Sequence, residues 1–231
     1  MEEFIIGGKP VMVLNKDDIE HEITQAAIDR REANFSGKTL KAFSLLEKNL
    51  DYGINLENSL ITGNFFLADT AINGNINMAN AVVDGSFFFI RGKLIGNLIL
   101  EKAWIGQTAN MVGLNVTGSL KCAQMRVNGF ISLYKAVVLG DIDFKNIEAC
   151  DYCHGDLKII GDIYFKGAQI NGSLDLSDTS ATGTIDMDNA LIRRNLVAKN
   201  LKVTNLISLK NAIYSKEQAD FAGTPPEKII Q

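Results

Sequence analysis

The sequence predicts an all-β solenoid: a single parallel β-helix of about eight 22-residue coils, closed at its start by a short helical cap. Three observations carry that expectation. Glycine recurs every eleven residues through the middle of the chain. Apolar side chains recur at fixed places between those glycines, and the 231 residues hold 20 Gly against only 3 Pro.

The elements follow in chain order. Residues 1–40 form a strand-and-helix cap, in which Phe4-Ile5-Ile6 and Val11-Met12-Val13-Leu14 pair as small strands around Gly7-Gly8. Residues 17–32 read as a helix, with Asp17-Asp18-Ile19-Glu20 as its capping box and Ile19, Ile23, Ala26 and Ala27 as one apolar face. A solenoid exposes unpaired strand groups at each end, so such a cap is expected.

Residues 41–215 carry the repeat, about sixteen units of it. Gly63, Gly74, Gly85, Gly96, Gly118, Gly129, Gly140, Gly161, Gly172 and Gly183 lie eleven or twenty-two residues apart. The exception is the step of twenty-one from Gly140 to Gly161, which reads as one residue missing near Asp151. With each glycine as place zero, place two holds Phe65, Ile76, Phe87 and Leu98, and place four holds Leu67, Met78, Phe89 and Leu100. Place seven is small or apolar (Thr70, Ala81, Gly92, Ala103), and place nine is aliphatic (Ile61, Ile72, Val83, Leu94). Inward spacings of 2, 3, 2 and 4 are strand alternation broken by corners, not a helical period. A helical coiled coil of this period would also lose about 1 kcal/mol at each glycine relative to alanine. A leucine-rich repeat would need its two halves to differ, and these look alike. Two units close one four-faced coil. Gly at place zero, replaced by Asn205, Asp151, Gln107 or Arg194, is expected to supply a corner with positive φ. At a strand spacing of ~4.8 Å the rod would be about 38 Å long.

Runs such as Gly172-Ser-Leu-Asp-Leu-Ser-Asp-Thr-Ser-Ala-Thr and Gly74-Asn-Ile-Asn-Met-Ala-Asn-Ala-Val-Val-Asp resemble pentapeptide-repeat proteins. That resemblance implies a right-handed quadrilateral β-helix. The family's inward spacing is 2, 3, 2, 3, so this chain resembles an eleven-residue variant in which every second face gains one residue. Beyond the repeat, residues 216–231 contain Thr224-Pro225-Pro226 and read as a tail or terminal cap, with Ile229 and Ile230 available as a docking segment.

A net charge of −4 with no basic stripe gives no pull toward nucleic acid. No apolar run approaches the roughly 18 residues of a membrane span, and Met1-Glu2-Glu3 does not open a signal peptide. Three cysteines cannot make a disulfide framework in so long a chain, so a cytoplasmic protein is expected.

Candidate chemistry is sparse. Cys150-Asp-Tyr-Cys153-His154 matches a c-type haem attachment pattern, but nothing points to export. By register Cys153 turns inward and Cys150 lies on a corner, while Cys122 lies in a buried column on another side, so no zinc set assembles and no metal or cofactor is expected. His21 reads as a solvated residue of the cap helix. Left-handed β-helix acyltransferases have six-residue repeats and a catalytic histidine in a trimer groove, neither of which is present here. No nucleophile-elbow, phosphate-loop or metalloprotease motif occurs. Asp141, Asp143, Asp175 and Asp186 read as ordinary surface carboxylates. No enzyme and no small-molecule substrate are expected.

The outward columns say more. Residues 22 apart lie above one another, so place three runs Phe66, Phe88, Asn110, Ser132 and place five runs Ala68, Ile90, Val112, Tyr134, with Phe130 and Val137 on the same half-coils. Phe66, Phe88, Ile90, Val112, Phe130 and Tyr134 thus form an apolar stripe where polar surface is usual, a mark of an interface. The other half-coils carry Asn77, Lys121, Asp143, Glu101 and Lys145, an ordinary surface. Two alternatives stay open: a terminal segment covers the stripe, or the register is off by one. The expected function is a non-enzymatic interaction or scaffold module that binds a protein partner or a second copy. Alternatives are an end-to-end polymer resembling bactofilins and an acidic DNA mimic that binds a topoisomerase.

Overall fold

The computed structural model describes residues 2–6, 9–149 and 161–231, with side chains for 12–147 and 161–231. The chain winds into a β-helix of about nine turns whose four faces are parallel ladders, face 2 carrying one antiparallel strand at its start. One coil visits face 1 (Ile54–Asn55), face 2 (Leu60–Ile61), face 3 (Phe65–Ala68) and face 4 (Ala71–Asn73) in turn. The next coil then lays Ile76 on Ile54, Val83 on Ile61, Phe87 on Phe65 and Leu94 on Ile72.

Stacking like on like builds the core. Side chains at places two and four are buried throughout, from Phe65 and Leu67 to Ile207 and Leu209. Phe43, Phe65 and Phe87 form one stack, with ring centroids 5.1 and 4.9 Å apart. Each fully buried side chain of this size contributes about 1.5–3 kcal/mol of transfer free energy.

The corners differ from the sequence expectation. Positive φ falls at place six, on Asp69 (50°), Asn80 (56°), Lys102 (57°) and Lys135 (55°). In most half-coils a turn centred there is closed from place seven to place four, as by Ala81 N–H to Met78 O at 3.0 Å. Gln107, Arg194 and Asn205 have no positive φ, and of the repeat glycines only Gly74 and Gly96 do, near the extended margin at 150° and 156°. Gln107, Arg194 and Asn205 carry side chains at place zero, but where glycine stands there the coils approach too closely for one. A Cβ on Gly118 would lie 2.5 Å from Gly96 O, and one on Gly140 2.6 Å from Gly118 O. The same residues hydrogen-bond up the corner, Gly118 N–H to Gly96 O at 3.0 Å and Gly140 N–H to Gly118 O at 2.9 Å. Beside them place one forms a side-chain ladder, in which Asn75 Oδ1 accepts from Asn97 N–H and Asn97 Oδ1 from Ser119 N–H, both at 2.8 Å.

The break in the repeat is an insertion, not a deletion. Asp141 Oδ1 accepts from Ser173 N–H across 32 residues, where other coils span 22. Gly172, not Gly161, stacks on Gly140, so one half-coil gains ten residues between Ala149 and Gly161. Glycine spacing hid this because twenty-one residues lies one short of two units.

Both ends belong to the winding. Pairing already begins at Ala33–Asn34 and Thr39–Leu40. Strands β1 (Glu2–Ile6) and β2 (Lys9–Leu14) form an antiparallel hairpin that extends face 2 through β2. Helix α1 spans Lys16–Ile28, and its capping box is Asn15 with Asp18 rather than one opened by Asp17. The strand before it delivers Asn15 to the N-cap, where its side chain accepts Asp18 N–H at 3.1 Å and Asp18 returns the bond to Asn15 N–H at 3.0 Å. Of the expected apolar face, Ile19 and Ala26 are buried and Ile23 half-buried, whereas Ala27 is exposed. At the far end Ala219–Asp220 joins face 1 and Ile229–Ile230 joins face 3, so those isoleucines dock on their own chain. Thr224 Oγ1 accepts from Leu201 N–H, and Pro225 lines a shallow groove together with Lys202 and Val203. Neither proline has an N–H for the carbonyls beneath, and face 2 ends there.

Candidate interaction surface

Face 3 is set apart by its place-three residues. Where that place holds Asn110 or Asp143, the side chain accepts the N–H two residues on (3.1 Å to Val112 and to Lys145) and bends the chain after a two-residue strand. Phe66 and Phe88 cannot do so, and their strands stay extended over four residues, Phe65–Ala68 and Phe87–Ile90. That turns Phe66 and Phe88 outward with edge-to-face rings 5.5 Å apart, while Phe65 and Phe87 stack inside. Gly92 is part of the arrangement, because a Cβ there would overlap the buried Phe89 ring.

Phe66, Phe88, Ile90 and Val112 are half-buried, and Phe130 and Tyr134 are 39% and 37% exposed. All six lie on or at the rim of face 3; Phe130 sits at the corner from face 2, its ring 6.2 Å from that of Tyr164. Leu46, 55% exposed and stacked on Ala68, carries the place-five column one coil further. Its signal was in the sequence, 22 residues before Ala68. Among the described residues no terminal segment overlies the stripe from Phe66 to Tyr134: α1 packs on Ala33–Asn34, on Lys9–Leu14 and on Phe43–Leu46, the first strand of face 3, where Lys16, Ile19 and Glu20 border Ala42 and Ser44, and the last strands extend faces 1 and 3.

The electrostatics of the face have a boundary and a direction. From the coil of Phe43 to the coil of Ile131, places one, three and five of face 3 hold no charged residue. Beyond that, Asp162, Lys166, Asp186 and Asp188 appear. Along the corner to face 4, place six runs Glu47, Asp69, Arg91, Gly113, Lys135, acidic at one end and basic at the other. Arg91 reaches back one coil to Asp69, Nη2 to Oδ2 at 2.6 Å and Nε to Oδ1 at 2.9 Å. That guanidinium holds the Asp69 carboxyl below its ordinary value.

The other sequence candidates lie elsewhere. Asp141, Asp143 and Asp175 line a shallow groove of about 360 Å³ on face 1. Asp143 and Asp175 are register neighbours, yet each carboxylate accepts the N–H two residues on, and Lys145 Nζ stands 3.0 Å from Asp175 Oδ2. Burial pushes Asp175 up, but its bonds from Ser177 and Lys145 outweigh this and its pKa is lowered, so it stays an anion that accepts and holds no proton to give. Asp186, on face 3, accepts from Asp188 N–H at 2.9 Å. Cys122 is fully buried in its column, and desolvation raises its thiol pKa well above the ordinary value. Cys150, Cys153 and His154 lie outside the described residues. His21 is exposed on α1, and Trp104 is half-buried on face 2 between Val82 and Arg126. Among the described residues no group of three or more His, Cys, Asp or Glu could hold a metal ion, and no helix is long and apolar enough to cross a membrane.

Compared with protein-family models, with curated proteins and with solved structures, the chain matches none.

Proposed function

We propose that this chain is a cytoplasmic, non-enzymatic interaction module whose docking surface is the uncharged part of face 3. One observation carries the reading: the outward positions of that face are free of charge over five coils, while the matching columns of face 1 carry Lys121, Asp143, Asp175, Glu101 and Lys145. Apolar side chains held on a rigid backbone lose little conformational freedom on docking, which suits a surface built to bind. The four-faced cross-section also supports placing the chain with the quadrilateral β-helices of pentapeptide-repeat proteins, as an eleven-residue variant. An end-to-end polymer finds less support, because Pro225 and Pro226 stand where face 2 would continue. Lys121, Lys145, Lys166 and Lys210 interrupt any continuous acidic face.

The test is a photo-reactive phenylalanine analogue placed at Phe88 or, as a control, at Asn77, which faces outward from face 1. Covalent adducts, with a second copy or another protein, should form from position 88 and not from 77. Equal yields from both positions, or none from 88, would refute the docking surface.

A further inference from the structure

We infer that the occupant of this surface is a second copy of the chain, docked face to face with the two rods antiparallel about a two-fold axis at the coil of Phe88 and Ile90. The inference rests on the reading of face 3 as a docking surface and adds its partner and geometry.

Two flat faces related by a two-fold axis in their shared plane, with the two rods aligned, stack in only two ways. If the axis runs along the rod, the rods are parallel and place five of one copy lies over place one of the other, which sets Ile90 and Val112 against the polar Ser86 and Thr108. If the axis runs across the rod, the rods are antiparallel and the corner of place six lies over the same corner of the partner, in reverse order. Glu47, Asp69, Arg91, Gly113 and Lys135 sit on consecutive coils, so reversal about the Arg91 coil sets Glu47 of each copy against Lys135 of the other. Asp69 meets Gly113, which has no side chain to obstruct it. Arg91 leans back toward its own Asp69, away from the axis and so away from its symmetry mate.

The apolar columns tolerate the same reversal. Place five reads Leu46, Ala68, Ile90, Val112, Tyr134, so each apolar residue meets another and Ile90 meets itself. At place three Phe88 meets Phe88 while Phe66 meets Asn110, and at place one Ala42, which Lys16 and Glu20 of α1 border, meets Phe130. The run of uncharged positions ends at the coil of Tyr134, as far after the axis as Leu46 lies before it. A patch complementary to itself under one symmetry operation is what an isologous dimer requires.

Size sets the strength. Five coils at ~4.8 Å by a face of about five residues at ~3.3 Å give a panel of roughly 24 by 16 Å. That is about 400 Å² per copy in plan, half of a standard interface, so a reversible dimer with Kd on the order of micromolar is expected.

Light scattering behind a sizing column, over a hundred-fold concentration range, is the readout. Wild type should pass from monomer to dimer, and Phe66→Ser/Phe88→Ser should remain monomeric. Glu47→Lys and Lys135→Glu, both exposed substitutions, each turn two attractive contacts into repulsive ones and should raise Kd about tenfold. Mixing those two variants restores both contacts in the heterodimer alone, which should form with Kd within about threefold of wild type. A wild type that stays monomeric overturns the second copy as occupant, while the docking surface keeps its own crosslinking test. A dimer lost in the phenylalanine variant but indifferent to the charge changes and their mixture overturns the antiparallel geometry. A dimer indifferent to every substitution overturns the inference and removes self-association from face 3.

Discussion

Two glycines five residues apart, Gly113 and Gly118, separate the two reasons a solenoid corner can demand glycine. Gly118 is at place zero, where an added Cβ would lie 2.5 Å from Gly96 O and also overlap Asn97 Oδ1. An ordinary contact of that Cβ begins at 3.4 Å, so Gly118→Ala must open the corner between two coils. That strains two bonds, Gly118 N–H to Gly96 O at 3.0 Å and Ser119 N–H to Asn97 Oδ1 at 2.8 Å. With a net worth of about 1 kcal/mol each when made, and more when a buried group is left unpaired, the expected loss is about 2–4 kcal/mol. For a chain of this size that lowers the melting temperature by roughly 5–15 °C. Gly113 is at place six with φ +66°, and the nearest atom to its added Cβ is Arg91 Cγ at 3.6 Å. The same place holds Asp69, Asn80, Lys102 and Lys135 elsewhere, so Gly113→Asn should stay within about 0.5 kcal/mol of wild type, its left-handed cost offset by a stiffer unfolded chain. Urea denaturation followed by far-ultraviolet circular dichroism measures both. If Gly118→Ala costs under about 1 kcal/mol, or Gly113→Asn costs as much, then close approach is not what place zero requires and the argument fails.

Three further outcomes are expected. Ser59 is buried at place seven, its Oγ has no hydrogen-bond partner among the described residues, and the next coils hold Ala81 and Ala103 there; Ser59→Ala should therefore stabilise the fold by about 1 kcal/mol in the same denaturation assay, and a loss would show that the hydroxyl is satisfied. Leu98 is fully buried, so Leu98→Asp should cost several kcal/mol, on the order of 4, whereas Asn97→Asp keeps its acceptor for Ser119 N–H and should be near neutral; equal melts for the two would contradict the inward assignment. The bond from Tyr164 Oη to Asp162 Oδ2, 2.6 Å, holds the phenol proton and raises the Tyr164 pKa to about 12. A folded value above the ordinary one near 10 means that this stabilisation is full below about pH 10 and is lost as pH rises toward 12. An NMR titration of the Tyr164 ring should show that late transition, and Asp162→Asn, which can still accept from Thr184 N–H, should move it back toward 10. An unmoved midpoint would assign the shift to burial instead.

The fold was legible because a parallel solenoid writes its register into the chain: each inward residue stacks on its own copy 22 positions later, so the core repeats in sequence as it does in space. The buried columns and the outward stripe from Phe66 to Tyr134 follow from that period, and the helical cap from its own capping residues and apolar spacing. What periodicity cannot carry is which strand lies beneath which when the spacing changes. The step from Gly140 to Gly161 is one residue short of two units, and only the pairing of Gly172 with Gly140 reveals a ten-residue insertion in a single half-coil. The purpose of the glycines was hidden for a similar reason. A sequence shows that a side chain is absent, while positive φ and a neighbouring coil's carbonyl are distinguished only by where the backbone passes. The same holds for the charges beside the stripe. Glu47 and Lys135 lie 88 positions apart as text, and they become the two ends of one column only once four turns of the helix set them on a common edge.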